Sequence, residues 1–223
     1  MEAIVKLELT GIAFSSHDLP GRLVAVDGSD GTGKTTLLDG LEEYLKSEGI
    51  AYLRTRQPTT EARNLDAFRT YLFAPERRDE VDYRGLLCMM IGDRLQHAHQ
   101  VIKPALRDGL VVLCDRYIYT QIVTTRTRGH DDEPWMYELY RHVLNPDLGI
   151  ITDSPLDVTC ARISGRADWH ESFLESDHVE RNLFAYREVA KAFDLELVDT
   201  HTNGVEQVLS HVVNRLRTML PAG

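Results

Sequence analysis

A segment near the N-terminus combines glycines with the cation and the hydroxyl that phosphate binding requires. It consists of Gly28, Ser29, Asp30, Gly31, Thr32, Gly33, Lys34, Thr35 and Thr36. The segment fits the pattern G-x-x-x-x-G-K-[ST], whose glycines let successive backbone N–H groups turn towards a phosphate. Lys34 can reach the β- and γ-phosphates of a nucleotide, and the Thr35 hydroxyl can bind Mg²⁺. A chance match in a chain of this length has a probability of about 1 in 100, so we predict a P-loop that binds a nucleoside triphosphate.

Apolar stretches on both sides support the P-loop prediction. Residues 23–26 have the pattern of a buried strand that ends at Asp27, and residues 36–45 carry apolar side chains at helical spacing. Further runs of the same kind predict strands at residues 51–55, 110–114, 148–153 and 195–198. Because helical patterns separate these strands, the sequence favours an α/β fold in which helices cover both faces of a parallel sheet.

Three polar residues follow or end other predicted strands. They are Arg56, Asp115 and Asp153. Ligands of open parallel sheets bind beyond the carboxyl ends of the strands, where the P-loop also lies. We therefore expect one site to be assembled at this edge of the sheet from distant parts of the chain.

The predicted helices between the strands differ in length. A short helix covers residues 61–73, a charged loop covers 75–79, and a long helix covers about 81–107. Pro104 is expected to bend the last turn of the long helix. Residues 154–157 predict a helix start with a capping box and a proline at the first helical position.

The two ends of the chain complete the predicted organisation. Residues 4–14 partly alternate apolar with polar side chains, which predicts a strand or hairpin in an N-terminal extension, residues 1–20. Residues 21–223 are then one domain, with an amphipathic helix ending near 193 and a final helix starting near 203.

Composition excludes several classes of function. The formal net charge is −10, which argues against non-specific binding to nucleic acids or anionic membranes. No apolar run is long enough to span a membrane. Cys88, Cys114 and Cys160 lie in apolar surroundings without a CxxC pair, so we expect buried thiols in a reducing compartment, and the cytoplasm as location. The nine histidines form no HExxH motif, so we expect no metal site made of protein ligands alone.

Five segments stand out in order along roughly residues 22–215. They are the P-loop with Asp30, residues 55–58 (Thr-Arg-Gln-Pro), Arg94 with the run 101–106, residues 115–117 (Asp-Arg-Tyr) and residues 145–148 (Asn-Pro-Asp-Leu). In these segments and their order the chain resembles the thymidylate kinase family of nucleoside monophosphate kinases. Motifs of other P-loop branches, such as NKxD and LSGGQ, are missing, and Arg116 follows Asp115 where ring ATPases have glutamate. The resemblance implies a P-loop kinase fold with a lid.

Roles for individual residues also follow from the resemblance. It implies that Arg56 and Arg116 bind the 5′-phosphate of the acceptor, a nucleoside monophosphate. Asp30 would contact the sugar 3′-hydroxyl, and Arg94 would meet the base. Asp115 would hold Mg²⁺ through water together with Thr35, and would orient Arg116.

A lid of residues 162–181 would close over ATP and supply a transition-state arginine, because the P-loop itself contains none. Arg162 and Arg166 are the first candidates, and Arg181 starts the following helix. In the family, subunits pair through the long helices, so the resemblance also implies a homodimer.

The base-binding wall departs from the family pattern. Met90 occupies the position of an aromatic residue that stacks on thymine, and Gln57 replaces an acidic residue. The segment after residue 117 also differs, so Tyr119 and Gln121 would line the acceptor site in place of the usual small residues. The acceptor is expected to be dTMP, with another pyrimidine deoxynucleotide or a specialised nucleotide as alternatives.

Two other functions remain open from the sequence. One is a P-loop kinase whose acceptor is a different nucleotide or another small molecule. The other is a non-catalytic nucleotide-binding regulatory protein on the same scaffold. Retention of Lys34, Thr35, Asp115 and Arg116 together favours catalysis, because binding alone does not require all four.

Overall fold

The computed structural model describes residues 12–130, 135–165 and 176–220. The strand predicted at 4–14 lies almost entirely outside these residues, and so does the middle of the lid predicted at 162–181, residues 166–175. Within the described part of residues 1–20, Ser15 forms an isolated parallel bridge with Leu144.

A parallel sheet forms the centre of the described structure. Its strands are β1 (Arg22–Gly28), β2 (Tyr52–Arg56), β3 (Val111–Asp115), β4 (Leu148–Asp153) and β5 (Glu196–Asp199). They lie in the order β2-β3-β1-β4-β5, and every neighbouring pair is parallel. The predicted α/β fold with a parallel sheet is therefore confirmed. Strand β1 is in the middle, which explains its uninterrupted apolar run, since both of its faces are buried.

Helices cover both faces of the sheet. They are α1 (Lys34–Ser47), α2 (Thr60–Arg63), α3 (Asp66–Phe73), α4 (Tyr83–His97), α5 (Lys103–Arg107), α6 (Ile118–Thr127), α7 (Trp135–Tyr140), α8 (Leu156–Ser164), α9 (Ser176–Ala192) and α10 (Gly204–Arg217). The side chains of β1 alternate between two cores: Val24 packs with α1 and α10, whereas Leu23 packs with α4, α6 and α9. This alternation brings α4, α6 and α9 to one side of the P-loop.

The long predicted helix is continuous but not uniform. Between α4 and α5, residues Ala98–Ile102 are π-helical. Pro104 has no N–H to donate, and its ring clashes with the carbonyl four residues earlier in a regular α-helix. A wider turn in front of the proline relieves this conflict, so the expected disturbance at Pro104 takes the form of a π-helical segment.

Several local predictions are wrong in detail. The short helix predicted at 61–73 is divided into α2 and α3, and the loop predicted at 75–79 is a 3₁₀ helix, Pro75–Glu80. The capping box at the start of α8 does not form, because Pro155 is the N-cap residue and the Ser154 hydroxyl bonds to the Thr159 hydroxyl at 2.6 Å. Cys88 is exposed rather than buried, since it lies on the outer face of α4.

Among the described helices, none combines the length and the apolar character that crossing a membrane requires.

Candidate active site

The P-loop joins the carboxyl end of β1 to the start of α1. Gly28, Gly31 and Gly33 all have positive φ angles, of 144°, 80° and 86°. A Cβ atom on Gly31 would lie 2.8 Å from the carbonyl oxygen of Thr159, so the loop needs glycine there for space as well as for conformation. Gly33 is the N-cap of α1 and supplies no side-chain cap, which leaves backbone N–H groups at this helix end for an anion.

Lys34 is buried inside the P-loop. Its Nζ donates hydrogen bonds to the carbonyl oxygens of Gly28, at 3.0 Å, and of Ser29, at 2.7 Å. Burial lowers the pKa of Lys34 to about 7, and the positive charge of Arg116 lowers it further in the same direction. Asp30, 3.8 Å away, offsets this effect only in part, so an anion in the loop would further stabilise the charged form of Lys34.

A cavity of about 370 Å³ opens beside the P-loop, and we call it the main cavity. Its walls come from the P-loop and from α2, α3, α4, α6 and α9. The predicted site residues that line it are Ser29, Asp30, Met90, Arg94, Arg116 and Gln121. The P-loop, α4 and the segment that follows β3 are far apart in the sequence and meet at this cavity.

Arg116 forms the wall of the main cavity next to the P-loop. Its backbone is left-handed, with φ of 62°, and its guanidinium pairs with Asp30. The same guanidinium donates to the carbonyl oxygen of Gly28 at 3.2 Å. Burial opposes the charge on Arg116, but the neighbouring Asp30 carboxylate outweighs this effect and raises the pKa of Arg116 above its ordinary value. The group is therefore a fixed cation at the mouth of the P-loop.

Sequence reasoning missed a second arginine in this wall, Arg63. It is the last residue of α2, and its Nε donates to the carbonyl oxygen of Pro58 at 3.1 Å. Burial lowers the pKa of Arg63 to about 10, and repulsion from Arg56 and Arg116 adds to the effect. One signal in the sequence could have identified Arg63 as a site residue. It follows the carboxyl end of β2 by a few residues, and that edge of the sheet is predicted to bind ligands.

Arg94 lies deeper in the main cavity, on α4. Its side chain is only 2% exposed, and one terminal nitrogen donates to the carbonyl oxygen of Met90 at 3.1 Å. Its Nε has no hydrogen-bond partner among the described residues, and burial lowers its pKa. A buried donor without a partner costs free energy, so this arginine is suited to meet a hydrogen-bond acceptor of a ligand.

The orientation of the Gln121 amide follows from its neighbours. The Thr125 hydroxyl donates to the carbonyl oxygen of Gln121, so it accepts from the Tyr83 hydroxyl at 2.6 Å. Tyr83 then accepts from the Gln121 amide nitrogen at 3.2 Å. The amide oxygen of Gln121 is left as the acceptor that this side chain can offer to a ligand.

Two predicted acceptor residues lie elsewhere. Tyr119 is 1% exposed and packs against Phe14 and Phe193, with ring centroids 6.0 and 5.8 Å apart, so it does not line the main cavity. Arg56 is exposed at the end of β2, opposite Asp115 in the strand register, and does not line the main cavity either. The wall position expected for Arg56 is taken by Arg63.

The predicted lid arginines are separated in space. Arg162 donates to the carbonyl oxygen of Gly31 and to the Thr200 hydroxyl, both at 3.2 Å, and lines a second cavity of about 220 Å³ on the other side of the P-loop. Arg181 is exposed, and its charge acts on His178 at the opposite end of the main cavity. Arg166 lies outside the described residues.

Oxygen ligands suited to Mg²⁺ are present at the strand ends. Asp115 is half-buried, and its charge acts on Lys34, Arg63 and Arg116, while Thr35 is exposed at the first turn of α1. Mg²⁺ typically binds one or two protein oxygens and takes its other ligands from phosphates and water. Thr35 and Asp115 supply two such protein oxygens. The described residues contain no cluster of three His, Cys, Asp or Glu side chains that could hold a metal ion by themselves. The aspartate predicted at the end of β4, Asp153, is occupied instead by an ion pair with Arg187 at 2.7 Å.

Comparisons with known proteins identify one family that this chain matches. The thymidylate kinase family profile matches residues 26–212. A probable thymidylate kinase of Thermococcus gammatolerans is 27% identical over 91% of this chain and 99% of its own length. A thymidylate kinase of Chromohalobacter salexigens is 31% identical over 75% of this chain and 77% of its own length. A solved structure of thymidylate kinase from Candida albicans matches with a TM-score of 0.70 at 18% identity, covering 89% of this chain and 92% of that one.

Proposed function

Because this chain belongs to the thymidylate kinase family, we propose that it transfers the γ-phosphoryl group of ATP to dTMP, which yields dTDP and ADP. The chain is a P-loop nucleoside monophosphate kinase. The observation that carries the choice of reaction is the placement of the Arg63 and Arg116 guanidinium groups in one cavity beside the P-loop lysine. Two anions can then be held end to end, one by the P-loop and the other by the arginines.

The phosphate of the acceptor binds between Arg63 and Arg116. Burial is the main cause of the lowered pKa of Arg63, and the positive charges of Arg56 and Arg116 lower it further. A dianionic phosphate between Arg63 and Arg116 removes the repulsion and accepts charge-assisted hydrogen bonds from both planar forks. Arg56 is exposed near Arg63 and contributes at the rim. Asp30 keeps Arg116 in place and reaches the sugar hydroxyl.

The base of the acceptor binds between Met90, Arg94 and Gln121. Arg94 offers N–H donors, and Gln121 offers its amide oxygen. Thymine presents a carbonyl oxygen next to an N–H on its pairing edge, which complements this donor–acceptor pair. Cytosine presents an amino group next to an unprotonated nitrogen, so it would place donor against donor and acceptor against acceptor. The Met90 side chain supplies a soft apolar contact to the ring.

Phosphoryl transfer then needs positioning and charge stabilisation more than proton transfer. The second pKa of a phosphate monoester is about 6, so the acceptor oxygen is already a nucleophile at neutral pH. Lys34 exchanges its two backbone carbonyl partners for phosphate oxygens, and Arg116 holds the acceptor in line with the P-loop. Bound Mg²⁺, held by Thr35 and by Asp115 through water, would neutralise charge on the phosphates. Arg162 lies against the P-loop on the donor side, where its guanidinium can stabilise charge on the transferring phosphoryl group.

A coupled assay of ADP release tests the proposed reaction. We expect dTMP to give the highest kcat/KM among the common ribo- and deoxyribonucleoside monophosphates, with dCMP at least tenfold lower because of its reversed hydrogen-bond pattern. If a different nucleotide gives the highest kcat/KM, that nucleotide rather than dTMP is the acceptor. ATP binding without turnover of any monophosphate would favour the regulatory protein instead.

Arg63 provides a specific prediction for the acceptor site. Arg63→Met should raise the KM for the acceptor roughly tenfold, because one charge-assisted pair to the phosphate is lost, and the KM for ATP should change less than twofold. The matched control is Arg69→Met, which replaces an exposed arginine on the neighbouring helix α3. Equal acceptor KM values for the Arg63 variant and the wild type would remove Arg63 from the phosphate site.

We also propose that the chain forms a homodimer through α4, as in the family it resembles. The outer face of α4 supports this, because Met89 is 42% exposed there and Cys88 lies beside it. Light scattering should give twice the chain mass of 25.4 kDa, and Met89→Glu should shift the protein towards the monomer. A wild-type mass of one chain at micromolar concentration would contradict the dimer.

A further inference from the structure

Helix α9 reaches the phosphate end of the main cavity through one side chain. Tyr186 is 4% exposed, lies near the middle of α9 and points its hydroxyl towards α6. Its Oη is 2.9 Å from the Thr120 hydroxyl, and a guanidinium nitrogen of Arg116 donates to it at 3.4 Å. One tyrosine therefore connects α9 to the arginine that we place at the acceptor phosphate.

The hydrogen bonds around Tyr186 run in one direction. The Thr120 hydroxyl donates to the Asp27 carboxylate at 2.5 Å, so it can only accept from its other neighbours. Tyr186 therefore donates to Thr120, and its lone pairs are left to accept from Arg116. Asp27 is fully buried and also accepts from the backbone N–H groups of Tyr117, at 3.1 Å, and Thr120, at 2.8 Å. The series of hydrogen bonds from Arg116 through Tyr186 and Thr120 therefore ends at the Asp27 carboxylate, which belongs to β1.

The Arg116 guanidinium is held from two sides. The residue follows β3 with a left-handed backbone, φ of 62°, so its side chain lies between the P-loop and α9. Asp30 and the Gly28 carbonyl hold the guanidinium from the P-loop side. Tyr186 and Thr120 hold it from the opposite side, where Thr120 accepts from the same nitrogen at 3.3 Å.

We propose that Tyr186 is a positioning residue, whose hydroxyl holds the Arg116 guanidinium in the orientation that binds the acceptor phosphate. The proposal rests on the proposed function, because it concerns the same phosphate site. Through Tyr186, helix α9 then raises the affinity for the acceptor nucleotide without contacting ATP. The neighbouring residue Arg187 pairs with Asp153 at 2.7 Å, which links α9 to the end of β4.

The test is the removal of a single oxygen atom. In the full-length chain, Tyr186→Phe should raise the KM and the equilibrium dissociation constant of dTMP roughly fivefold, as expected for one hydrogen bond to a charged group that keeps other partners. The KM for ATP and kcat should each change less than twofold. A purely structural role would lower the melting temperature and would not separate the two KM values.

Two further variants make the result specific. Tyr44→Phe is the matched control, because the Tyr44 hydroxyl accepts from Arg217 at 2.8 Å far from the cavity, and it should leave every kinetic constant unchanged. In an Arg116→Met background, Tyr186→Phe should have no further effect on dTMP affinity, since the hydroxyl then has no guanidinium to hold.

The outcomes separate this inference from the proposed function. A wild type that turns over no nucleoside monophosphate contradicts the function itself. An active wild type whose dTMP affinity is the same in Tyr186→Phe contradicts the positioning role. Additive losses in the Arg116→Met double variant also contradict it, because the tyrosine would then act independently of the arginine.

Discussion

Lys34→Met is expected to lower kcat by roughly 10³-fold, the loss typical of removing a preorganised charge from a transition state. Methionine has a similar length and no charge, so the P-loop keeps its packing but loses the ammonium group. Burial penalises the charged lysine, as its lowered pKa indicates, so the melting temperature of the variant should not fall. Steady-state ADP release and thermal unfolding are the two measurements.

A second lysine on the same helix is the control for Lys34. Lys46 lies in the last turn of α1, is 61% exposed and pairs with Glu42 at 2.9 Å. Lys46→Met removes the same group from the surface and should leave kcat within a factor of two. Comparable losses in both variants, or full activity in Lys34→Met, would place phosphoryl transfer away from the P-loop.

The sequence predicted the elements whose local patterns are strong. Strand β1 and helix α1 follow from an uninterrupted apolar run, the glycines and the helical spacing around Lys34. The long helix from residue 83 to 107 was also predicted, because its periodicity extends over several turns. The P-loop residues needed no tertiary information, since their spacing alone defines the backbone path.

Tyr119 shows where the sequence was insufficient. Helix α6 begins at Ile118, and each further residue turns by about 100° around its axis. Thr120 and Gln121 consequently face the main cavity, while Tyr119 faces Phe14 and Phe193. The direction of each side chain depends on how α6 is rotated against α9 and β1, and no local pattern in the sequence reports that rotation.

Arg63 and Arg56 were distinguished only by tertiary structure. Both follow the apolar part of β2, and an isolated arginine is usually a solvated surface residue. The short helix α2 places the half-buried Arg63 in the cavity wall, whereas Arg56 at the end of β2 is exposed. Helix α2, which has only four residues, therefore determines which of the two arginines lines the cavity. A helix of that length has too little periodicity to be recognised in the sequence.

Arg116 gives the prediction with the largest expected effect on the acceptor. Arg116→Met should lower kcat/KM for dTMP roughly 10³-fold, because the phosphate loses a bidentate, charged partner. The affinity for a non-hydrolysable ATP analogue should change less than threefold. Methionine keeps a β-carbon, so the strain at φ of 62° is the same in both proteins and the comparison isolates the guanidinium. Arg116→Lys should recover only part of the loss, since an ammonium group cannot form the planar fork.

Two other arginines of strand β2 show whether this loss is specific. Arg54 pairs with Asp39 and Glu42 at the surface, at 2.6 and 2.8 Å, so Arg54→Met should keep kcat/KM within a factor of two. Arg56→Met should cost less than tenfold, because Arg56 is exposed at the rim rather than in the wall. A larger loss for Arg56→Met than for Arg116→Met would move the acceptor phosphate to the rim. In that case the cavity beside the P-loop would bind a different group of the substrate.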